Sequence, residues 1–264
     1  MPTVTQHKPG AFCWFELATT NQSAAKTFYQ TLLGWTSDDM SIGPSEVYTT
    51  FSVAAGSVAA AMTMRKDQQA QGVPPNWMAY VAVKSADGAA KKAASLGGTV
   101  VAPAFDVMEH GRMAVIQDPT GAMFCVWEAK VIPGTGAVHE RGSVVWADLS
   151  TPEQARAGRF YADLFGWKMT GGKNGVDAHA GDYFHIVNDG DFIGGIPPAE
   201  HRNPKMPAHW LIYFSVPDAK DAIGRAQSLG GRLLHGPVTI EGTRTFAVIA
   251  DPQGAVFAVV DGKT

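Results

Sequence analysis

The hydrophobic and polar positions of this chain alternate between short strand-like runs and longer helical segments. Residues 12–18 (FCWFELA) predict a strand, because the run is short, apolar and rich in aromatic residues. A helix is predicted next, with Phe28 and Leu32 on one face and Gly34 as its stop. Further strands are predicted near 46–53, 56–64, 77–83, 99–109, 111–117 and 122–128. The order of strand, helix and several strands begins again at the 77–83 strand.

The same order recurs in the second half of the chain. Trp14-Phe15-Glu16-Leu17 returns as Trp146-Ala147-Asp148-Leu149 with an offset of 146 − 14 = 132, and the turn at Asp118 returns at Asp251 with an offset of 251 − 118 = 133. A repeat of this length indicates a duplicated domain, because solenoid units span about 20–50 residues. Strands are predicted near 210–216, 244–250 and 255–260 in the second copy, and the expected boundaries are domain 1 over 1–131, a linker over 132–141 and domain 2 over 142–264.

Local signals mark the ends of helices and the turns. Thr151 is a predicted N-cap, with Pro152 at the first helical position and Gln154 completing a capping box. Asp189-Gly190 predicts a tight hairpin turn. The segment 65–76 predicts a loop, since it ends in Val73-Pro74-Pro75-Asn76. The other predicted N-caps are Asn21 or Thr20, Ser85 and Asp218.

Composition narrows the class of protein. The chain has 264 residues, 45% of them hydrophobic and 17% charged, which is typical of a globular protein. Its net charge of −3 and the lack of a basic stripe argue against a nucleic-acid partner. No apolar run of membrane-spanning length and no signal-peptide pattern is found, so no membrane partner is expected. The two cysteines, Cys13 and Cys125, form no disulfide framework, and we expect a cytoplasmic protein.

These features resemble a known superfamily. The Phe-Tyr helix that ends in Gly-Trp, the Leu-Gly-Gly helix stop and the Asp-Pro-x-Gly hairpin, each found twice, are similar to the vicinal oxygen chelate proteins, which include glyoxalase I, bleomycin-resistance proteins and extradiol dioxygenases. The resemblance covers roughly residues 10–130 and 142–261. It implies an α+β fold of tandem βαβββ modules, four modules in two vicinal-oxygen-chelate-type domains with curled mixed sheets.

The resemblance also implies a divalent metal ion inside each curled sheet, and the sequence departs from that expectation. Indole, thioether and methyl groups supply no hard nitrogen or oxygen ligand. We therefore predict no standard metal site and no cofactor, which argues against glyoxalase I activity on hemithioacetals. The positions that match the family's usual ligands are Trp14, Met78 and Cys125 in the first half and Trp146, Leu211 and Ala258 in the second.

The alternation of strand positions predicts what lines each sheet instead. Side chains two residues apart share one face of a strand, so each cup-shaped sheet is expected to present Trp, Tyr and Met with one acid. Such a lining suits a small flat apolar or aromatic ligand. The predicted ligand-binding residues are Trp14, Glu16, Met78, Tyr80, Cys125 and Trp127 in the first cup and Trp146, Asp148, His209, Leu211 and Tyr213 in the second.

Individual residues leave alternatives open. Glu16 and Asp148 are candidate acid–base or ligand-anchoring groups with a raised pKa, or else edge carboxylates paired with Arg or capped by backbone. The tryptophans are either cavity lining or core. Cys125 is either a nucleophile or a buried inert thiol. Arg112 and Arg244 either anchor an anionic ligand at a cup mouth or are exposed turn residues.

The histidines are scattered, and none has the spacing of a metal-binding motif. A nonstandard metal site built from His185, His209 and Asp191 stays an alternative, and His179 lies close by in sequence. Three functions follow: a metal-free small-molecule binding protein, an enzyme with a displaced metal or metal-free acid–base chemistry, and a scaffold whose cups are filled by their own side chains. The duplication is compatible with a monomer that forms a pseudo-dimer, or with a homodimer.

Overall fold

The computed structural model describes residues 4–171, 176–177, 182–240 and 244–262, with backbone alone for 176–177. Within these residues the chain forms two mixed sheets, of eight and nine strands, against which the four longer α-helices pack. His179 and residues 241–243, which precede Arg244, fall outside the described residues. This is the predicted α+β architecture of four βαβββ modules in two curled sheets.

The first sheet has the order β2-β3-β4-β1-β5-β8-β7-β6. Its strands are β1 (Phe12–Thr19), β2 (Thr36–Ser41), β3 (Val47–Val53), β4 (Gly56–Thr63), β5 (Asn76–Ala82), β6 (Thr99–Val107), β7 (Gly111–Gln117) and β8 (Met123–Ala129). Its helices are α1 (Gln22–Leu33), α2 (Lys66–Ala70) and α3 (Ala86–Ser95).

The second sheet repeats this order with one extra short strand at its edge, as β11-β10-β12-β13-β9-β14-β17-β16-β15. Its strands are β9 (Val144–Ser150), β10 (Lys168–Gly171), β11 (Val176–Asp177), β12 (Phe184–Asn188), β13 (Asp191–Ile196), β14 (His209–Ser215), β15 (Arg232–Ile240), β16 (Arg244–Ala250) and β17 (Val256–Val260). Its helices are α4 (Gln154–Phe165) and α5 (Ala219–Ser228), with a 3-10 turn at Ala199–His201.

The two modules of each half pair with each other, which the sequence left open. Strand β1 runs parallel to β4 and antiparallel to β5, so the first strands of the two modules lie side by side in the middle of the sheet. Strand β9 is flanked in the same way by β13 and β14. The acid of each half therefore lies on a central strand, where neighbours on both sides can reach it.

Two local predictions are wrong. The segment 65–76 is not loop throughout, because Lys66–Ala70 forms a short helix. Thr151 is not the N-cap of α4: the cap position is Glu153, and the Thr151 hydroxyl instead accepts a bond from the Glu153 backbone N–H at 3.2 Å. The predicted caps Asn21, Ser85 and Asp218 are confirmed, since each side chain accepts a bond from a first-turn N–H.

The hydrophobic core is shared by the two halves. Helix α1 packs Phe28 against Phe257 of β17, with ring centroids 6.1 Å apart, and α4 packs Phe160 against Phe124 of β8 at 6.2 Å. Each helix thus supports the sheet of the other half. Because the core occupies one face of each sheet, the opposite face is left as the concave side, which we call the first cup and the second cup.

Indole hydrogen bonds also cross between the halves. Trp35 donates to the carbonyl oxygen of Gly142 at 2.9 Å, just before β9, and Trp167 donates to that of Gly10 at 2.8 Å, just before β1. The backbone that leads into each acid-bearing strand is thereby held by a tryptophan of the other half.

Candidate ligand-binding cups

The first cup is built around the carboxyl group of Glu16 on β1. The Tyr48 hydroxyl donates to Glu16 Oε2 at 2.8 Å, and the Tyr80 hydroxyl donates to Oε1 at 3.1 Å. The indole N–H of Trp14 donates to the Tyr48 oxygen at 2.9 Å and so orients that hydroxyl. Phe15 and Leu17 alternate with these residues and enter the shared core. Strand alternation therefore delivers Trp14 and Glu16 to the same cup.

The second cup repeats this arrangement around Asp148 on β9. The Tyr213 hydroxyl donates to Asp148 Oδ2 at 2.8 Å. Asp148 Oδ1 accepts a very short bond from the Tyr183 hydroxyl and a second bond, of 2.9 Å, from the Trp146 indole N–H. The indole N–H also reaches the Tyr183 oxygen at 2.8 Å. Asp148 is thus held by three donors from three separate places in the chain.

The two clusters are equivalent residue by residue. Their offsets are 146 − 14 = 132 for the tryptophans, 148 − 16 = 132 for the acids and 213 − 80 = 133 for one pair of tyrosines. The second pair, Tyr48 and Tyr183, has an offset of 183 − 48 = 135. An acid, two tyrosines and a tryptophan therefore recur in both halves, with the difference that the Trp146 indole also donates to Asp148, whereas the Trp14 indole donates to Tyr48.

Burial governs the electrostatics of both acids. It raises the pKa of Glu16 and of Asp148 above their ordinary values, and the tyrosine hydrogen bonds act in the opposite direction with less effect. The pKa values of Tyr48 and Tyr80 are raised well above the usual range, first by burial and then by the nearby Glu16 charge. The tyrosines thus stay protonated as donors, and the acids are the groups in these clusters that exchange a proton most readily.

Arginine does not pair with these acids in the part of the chain that the structure describes. Arg112 instead donates to both carboxylate oxygens of Asp87, at 2.7 and 3.2 Å, and to the carbonyl oxygen of Ala104 at 2.9 Å. It therefore ties β7 to helix α3. Tyrosine and tryptophan side chains donate to the carboxyl groups of Glu16 and Asp148. Among the described residues, the partner of each acid is therefore neither an arginine nor a backbone N–H.

The residues present do not fit the divalent metal ion that the fold implies. Trp14 and Cys125 both flank Tyr80 in the sheet register, while Met78 lies opposite Glu16, one row away. The three positions thus offer an indole, a thiol whose pKa burial raises well above its usual range, and a thioether. Across the described ranges, no group of three or more His, Cys, Asp and Glu side chains could hold a metal ion.

The alternative metal site from His185, His209 and Asp191 is also not assembled. A ring nitrogen of His209 bonds the carbonyl oxygen of Pro207 at 2.9 Å, and Asp191 lies 3.5 Å from the amine of Lys8. These side chains are engaged in separate places. Within the described residues, these three side chains therefore do not form the metal site that the sequence left as an alternative.

The other predicted lining residues lie near the acids but make their contacts elsewhere. Cys125, Trp127 and Met78 form a small apolar cluster with Tyr80 beneath the first cup. The Trp127 indole N–H donates to the carbonyl oxygen of Ile132 at 2.9 Å. Leu211 lies opposite Asp148 in the strand register, and His209 lies two residues away at the end of β14. They shape the cups but make no bond to either acid.

Sequence reasoning missed two members of the clusters, Tyr48 and Tyr183. Tyr48 lies in a predicted strand, but the alternation of side chains along that strand was not used to decide which of them face the cup. Tyr183 lies directly before β12, where the offset between the halves has grown to 135. The signal was a tyrosine at or just before the start of the strand that leads into the Ala55-Gly56 and Asp189-Gly190 turns, at Tyr48-Thr49-Thr50 and Tyr183-Phe184-His185.

Two surface depressions in the described structure lie outside the cups. One, of about 250 Å³, lies between α3 and the end of α4 and is lined by Gly88, Lys92 and Phe165 among others. The other, of about 540 Å³, lies beside Val53 and Arg141. In the first cup Glu16 is partly exposed, whereas Tyr80, Cys125 and Trp127 are buried, and in the second cup both Asp148 and Tyr213 are buried. No helix in the described residues is long and apolar enough to cross a membrane.

The fold and the paired cups define a tandem member of the glyoxalase-like class of proteins, and sequence comparisons agree. A model described as Glyoxalase/Bleomycin resistance protein/Dioxygenase superfamily matches residues 143–259, and one described as Glyoxalase-like domain matches residues 14–127. The chain belongs to the glyoxalase/bleomycin resistance protein/dioxygenase superfamily.

Relatives match over almost the whole chain. A Mycobacterium tuberculosis protein named "Putative glyoxylase CFP32" is 36% identical over 262 residues, with 98% of each chain covered. A Streptomyces protein named "Anthracycline biosynthesis protein DauV" is 34% identical over 271 residues, covering 98% of this chain and 95% of its own. The similarity therefore includes both halves and the segment between them.

Solved structures show the same fold at low identity. The Mn(II)-bound glyoxalase from Novosphingobium aromaticivorans has a TM-score of 0.66 at 14% identity, covering 97% of this chain and 83% of its own. The 2,3-dioxygenase LapB from Pseudomonas has a TM-score of 0.62 at 17% identity, covering 100% and 94%. At such identities the likeness establishes the fold, and the chemistry of the cups has to be argued from this chain's own residues.

Proposed function

We propose that this protein binds a small planar aromatic molecule that carries a hydroxyl or carbonyl oxygen, and that no metal ion takes part in the binding. The observation that carries the proposal is the repeated cluster of one carboxyl group, two tyrosines and one tryptophan. A polar cluster that faces a cup otherwise lined by apolar and aromatic side chains is the usual composition of a small-molecule site.

By lone-pair count, each acid keeps at least one position for a ligand oxygen. A carboxylate offers roughly four lone-pair positions. Tyrosine donors take two of these at Glu16, from Tyr48 and Tyr80, and three donors engage Asp148. A ligand hydroxyl can donate to a remaining position, and a ligand carbonyl can accept a hydrogen bond when the acid holds a proton, which the raised pKa of each acid favours. The geometry thus supports recognition of either oxygen.

The apolar surroundings favour a flat ring system. Trp14 and Met78 are partly buried against the apolar cluster that includes Tyr80 and Trp127. Aromatic side chains of this kind offer large rigid contact areas to planar ligands. A relative that matches over almost the whole chain is named "Anthracycline biosynthesis protein DauV", and this name supports an aromatic ligand class.

The test compares 2-naphthol with naphthalene by quenching of tryptophan fluorescence, on protein dialysed against EDTA and checked for metal content by plasma mass spectrometry. We expect 2-naphthol to bind roughly tenfold more tightly, which corresponds to about 1.4 kcal/mol for one buried hydrogen bond. The preference should shrink in Glu16→Gln and Asp148→Asn. Asp163→Asn, an exposed carboxylate change on α4, serves as the matched control.

Two results would contradict the proposal. Equal affinity for the two probes in the wild type would show that the acids do not recognise a ligand oxygen. Binding that disappears after metal removal and returns with added Mn²⁺ or Zn²⁺ would show that a metal ion is part of the site.

A further inference from the structure

The depression between α3 and the end of α4 lies where the two halves of the chain meet at the surface. Its volume is about 250 Å³, and none of the acids, tyrosines or tryptophans of the two cups lines it. Sites for drug-sized ligands span about 300–1,000 Å³. The space therefore suits a smaller molecule, with a single ring.

Two lysines line this depression, Lys84 just before α3 and Lys92 within it. The Lys92 amine donates to the carbonyl oxygen of Leu164, in the last turn of α4, at 3.3 Å. An ammonium group has three N–H donors, so this bond leaves two for a further partner. In the part of the chain that the structure describes, neither lysine forms an ion pair with a carboxylate. The depression therefore carries positive charge that no described acid offsets.

The second copy of the module has an acid at the equivalent place. Helix α5 corresponds to α3 with an offset of 219 − 86 = 133, which matches Gly88 with Asp221. The same offset matches Lys92 with Arg225. Asp221 Oδ2 lies 3.0 Å from Arg225 Nε, so the two form an ion pair one helical turn apart. Helix α3 has kept the cation and lost the acid, and the depression opens beside Gly88.

The N-terminus of α3 is not the feature that favours an anion. The Ala86 N–H donates to Glu128 Oε2 at 2.9 Å, and the Gly88 N–H donates to the Ser85 hydroxyl oxygen at 3.1 Å. These first-turn donors are already engaged. The lysine side chains and the missing acid are the features that favour a negative group, which a ligand can supply.

The rest of the wall is apolar. Leu164 belongs to the shared core, and Phe165 is partly buried against it. Val83 and Ala89 line the depression from the first half. A ring that enters between these side chains removes its apolar surface from water, while a carboxylate on the ring can reach the lysines.

We propose that this depression binds a small aromatic carboxylate, whose negative group pairs with Lys92 as Asp221 pairs with Arg225 in the other half. The ligand contacts α3 and α4 together and so bridges the two halves. The site is separate from the cups, so this inference does not depend on the proposed function.

The experiment titrates benzoate into isotope-labelled full-length protein at neutral pH and follows the backbone amide shifts by NMR. We expect saturable shifts at Gly88, Ala89 and Phe165, with a Kd of about 1 mM, because an exposed ion pair and one small ring contribute modestly. Benzyl alcohol, which has the same ring without the charge, should bind about fivefold more weakly.

Gly88→Asp is the sharpest variant, because it supplies the acid within the chain, as the second half does. A Cβ atom at residue 88 would lie 3.3 Å from the Ser85 hydroxyl oxygen, so a side chain fits there after a small shift. An acid at this place pairs with Lys92 and repels the ligand. We expect benzoate to bind at least about tenfold more weakly to this variant.

Lys92→Met, which keeps an apolar stem but removes the charge, should also weaken benzoate binding. Lys91→Met removes the neighbouring charge on α3, outside the depression, and is the matched control. It should retain the wild-type Kd within about twofold, because charges that do not contact the ligand are screened by salt. Thermal unfolding checks that each variant is folded.

Three results would overturn the proposal. One is an unchanged affinity for benzoate in both Gly88→Asp and Lys92→Met, and another is equal affinity of the wild type for benzoate and benzyl alcohol. The third is the absence of saturable shifts at Gly88, Ala89 and Phe165, including the case in which benzoate shifts only the amides around Glu16 or Asp148. Shifts at the three amides that persist with saturating 2-naphthol would support a site separate from the cups.

Discussion

At the residue scale, the cups are defined by carboxyl groups that are held by phenols and indoles instead of cations. Such an acid keeps its proton more tightly than in water, because burial disfavours its charge and no opposite charge offsets that cost. Asp148 is the clearer case, at 7% exposed, while Glu16 is partly open to the cup. These environments have measurable consequences for stability and for specificity.

The first prediction concerns pH and Asp148. Its pKa in the folded protein is raised above the unfolded value near 3.8, so the folded state holds the proton more tightly. The stability that this gives is complete below about pH 3.8 and is lost as the pH rises through the raised pKa. The free energy of unfolding of the wild type, relative to Asp148→Asn, should therefore fall across this window and then level off.

Urea denaturation of both proteins over a pH series measures this difference. His185, whose pKa is lowered, contributes a slope of the opposite sign, and it is present in both proteins. A difference that rises with pH would mean that the folded protein prefers the ionised acid.

The second prediction concerns Gly195→Ala. The added methyl group meets the Tyr183 hydroxyl, so the phenol has to move away from Asp148. We expect a loss of about 1–3 kcal/mol in the free energy of unfolding, which is typical of overpacking. Ala60→Gly, the reverse change in the first cup, is the control and should cost less than 1 kcal/mol or so, because it removes one methyl group from a strand. Equal effects of the two changes would contradict the role given to Gly195.

The sequence predicted the acids of both clusters because Glu16 and Asp148 keep a constant offset from flanking tryptophans. It did not predict Tyr48 and Tyr183, since these residues precede or lie in the third strand and their offset differs by three residues. Their role depends on how far β3 and β12 lie from the central strand, which is a property of sheet order. His185 was considered only as a member of an alternative, nonstandard metal site, because its neighbours across the sheet were unknown.

At the element scale, the informative feature is that each first-module helix is anchored in the other half. Tyr29 of α1 donates to Asp251 Oδ2 at 3.0 Å and accepts from the Trp77 indole at 3.0 Å. Tyr161 of α4 makes the equivalent bonds to Asp118 at 3.0 Å and from Trp210 at 3.1 Å. Both tyrosines are fully buried, so these bonds have no water to replace them.

The third prediction is that Tyr29→Phe and Tyr161→Phe each lower the free energy of unfolding by about 1–3 kcal/mol, because an indole N–H and a carboxylate oxygen lose their partner in a buried site. The two effects should be similar, since the surroundings are equivalent. Chemical denaturation followed by fluorescence measures both. A change of less than about 0.5 kcal/mol in either variant would show that the bond is replaced locally.

Helix ends were predicted well where a single side chain decides them. Asn21, Ser85 and Asp218 are caps that a short motif reveals, because the bond is made within three residues. The prediction that Thr151 caps α4 failed because the helix begins only at Gln154. The Gln154 side chain donates to the carbonyl oxygens of Asp182 and Ile196 at 2.7 and 2.6 Å. That tertiary contact, and not a capping box, fixes the start of the helix.

At the scale of the whole molecule, the two halves form one folding unit. Aromatic contacts between α1 and β17, and between α4 and β8, place both sheets on a single core. The sequence predicted two domains from the repeat but did not reveal this packing, because helices of equivalent sequence could cover their own sheet or the other one. The contacts of α1 with β17 and of α4 with β8 show that each helix covers the sheet of the other half.

The fourth prediction is that the halves, cut within the expected linker as residues 1–138 and 139–264, are not stable alone. Each would expose the aromatic surface that the other half covers. Expressed together, the two fragments should copurify and unfold in one transition, which size-exclusion chromatography and thermal unfolding measure. A fragment that is monomeric, folded and cooperative by itself would contradict the shared core.

The crossed tryptophan bonds from Trp35 to Gly142 and from Trp167 to Gly10 give the molecule an internal two-fold relation within one covalent chain. Two identical chains arranged in that way would have to carry the same side chain at every matched position. Joining the copies removes this constraint, so Thr50, opposite Ala60, and His185, opposite Gly195, can stand at corresponding places in one molecule.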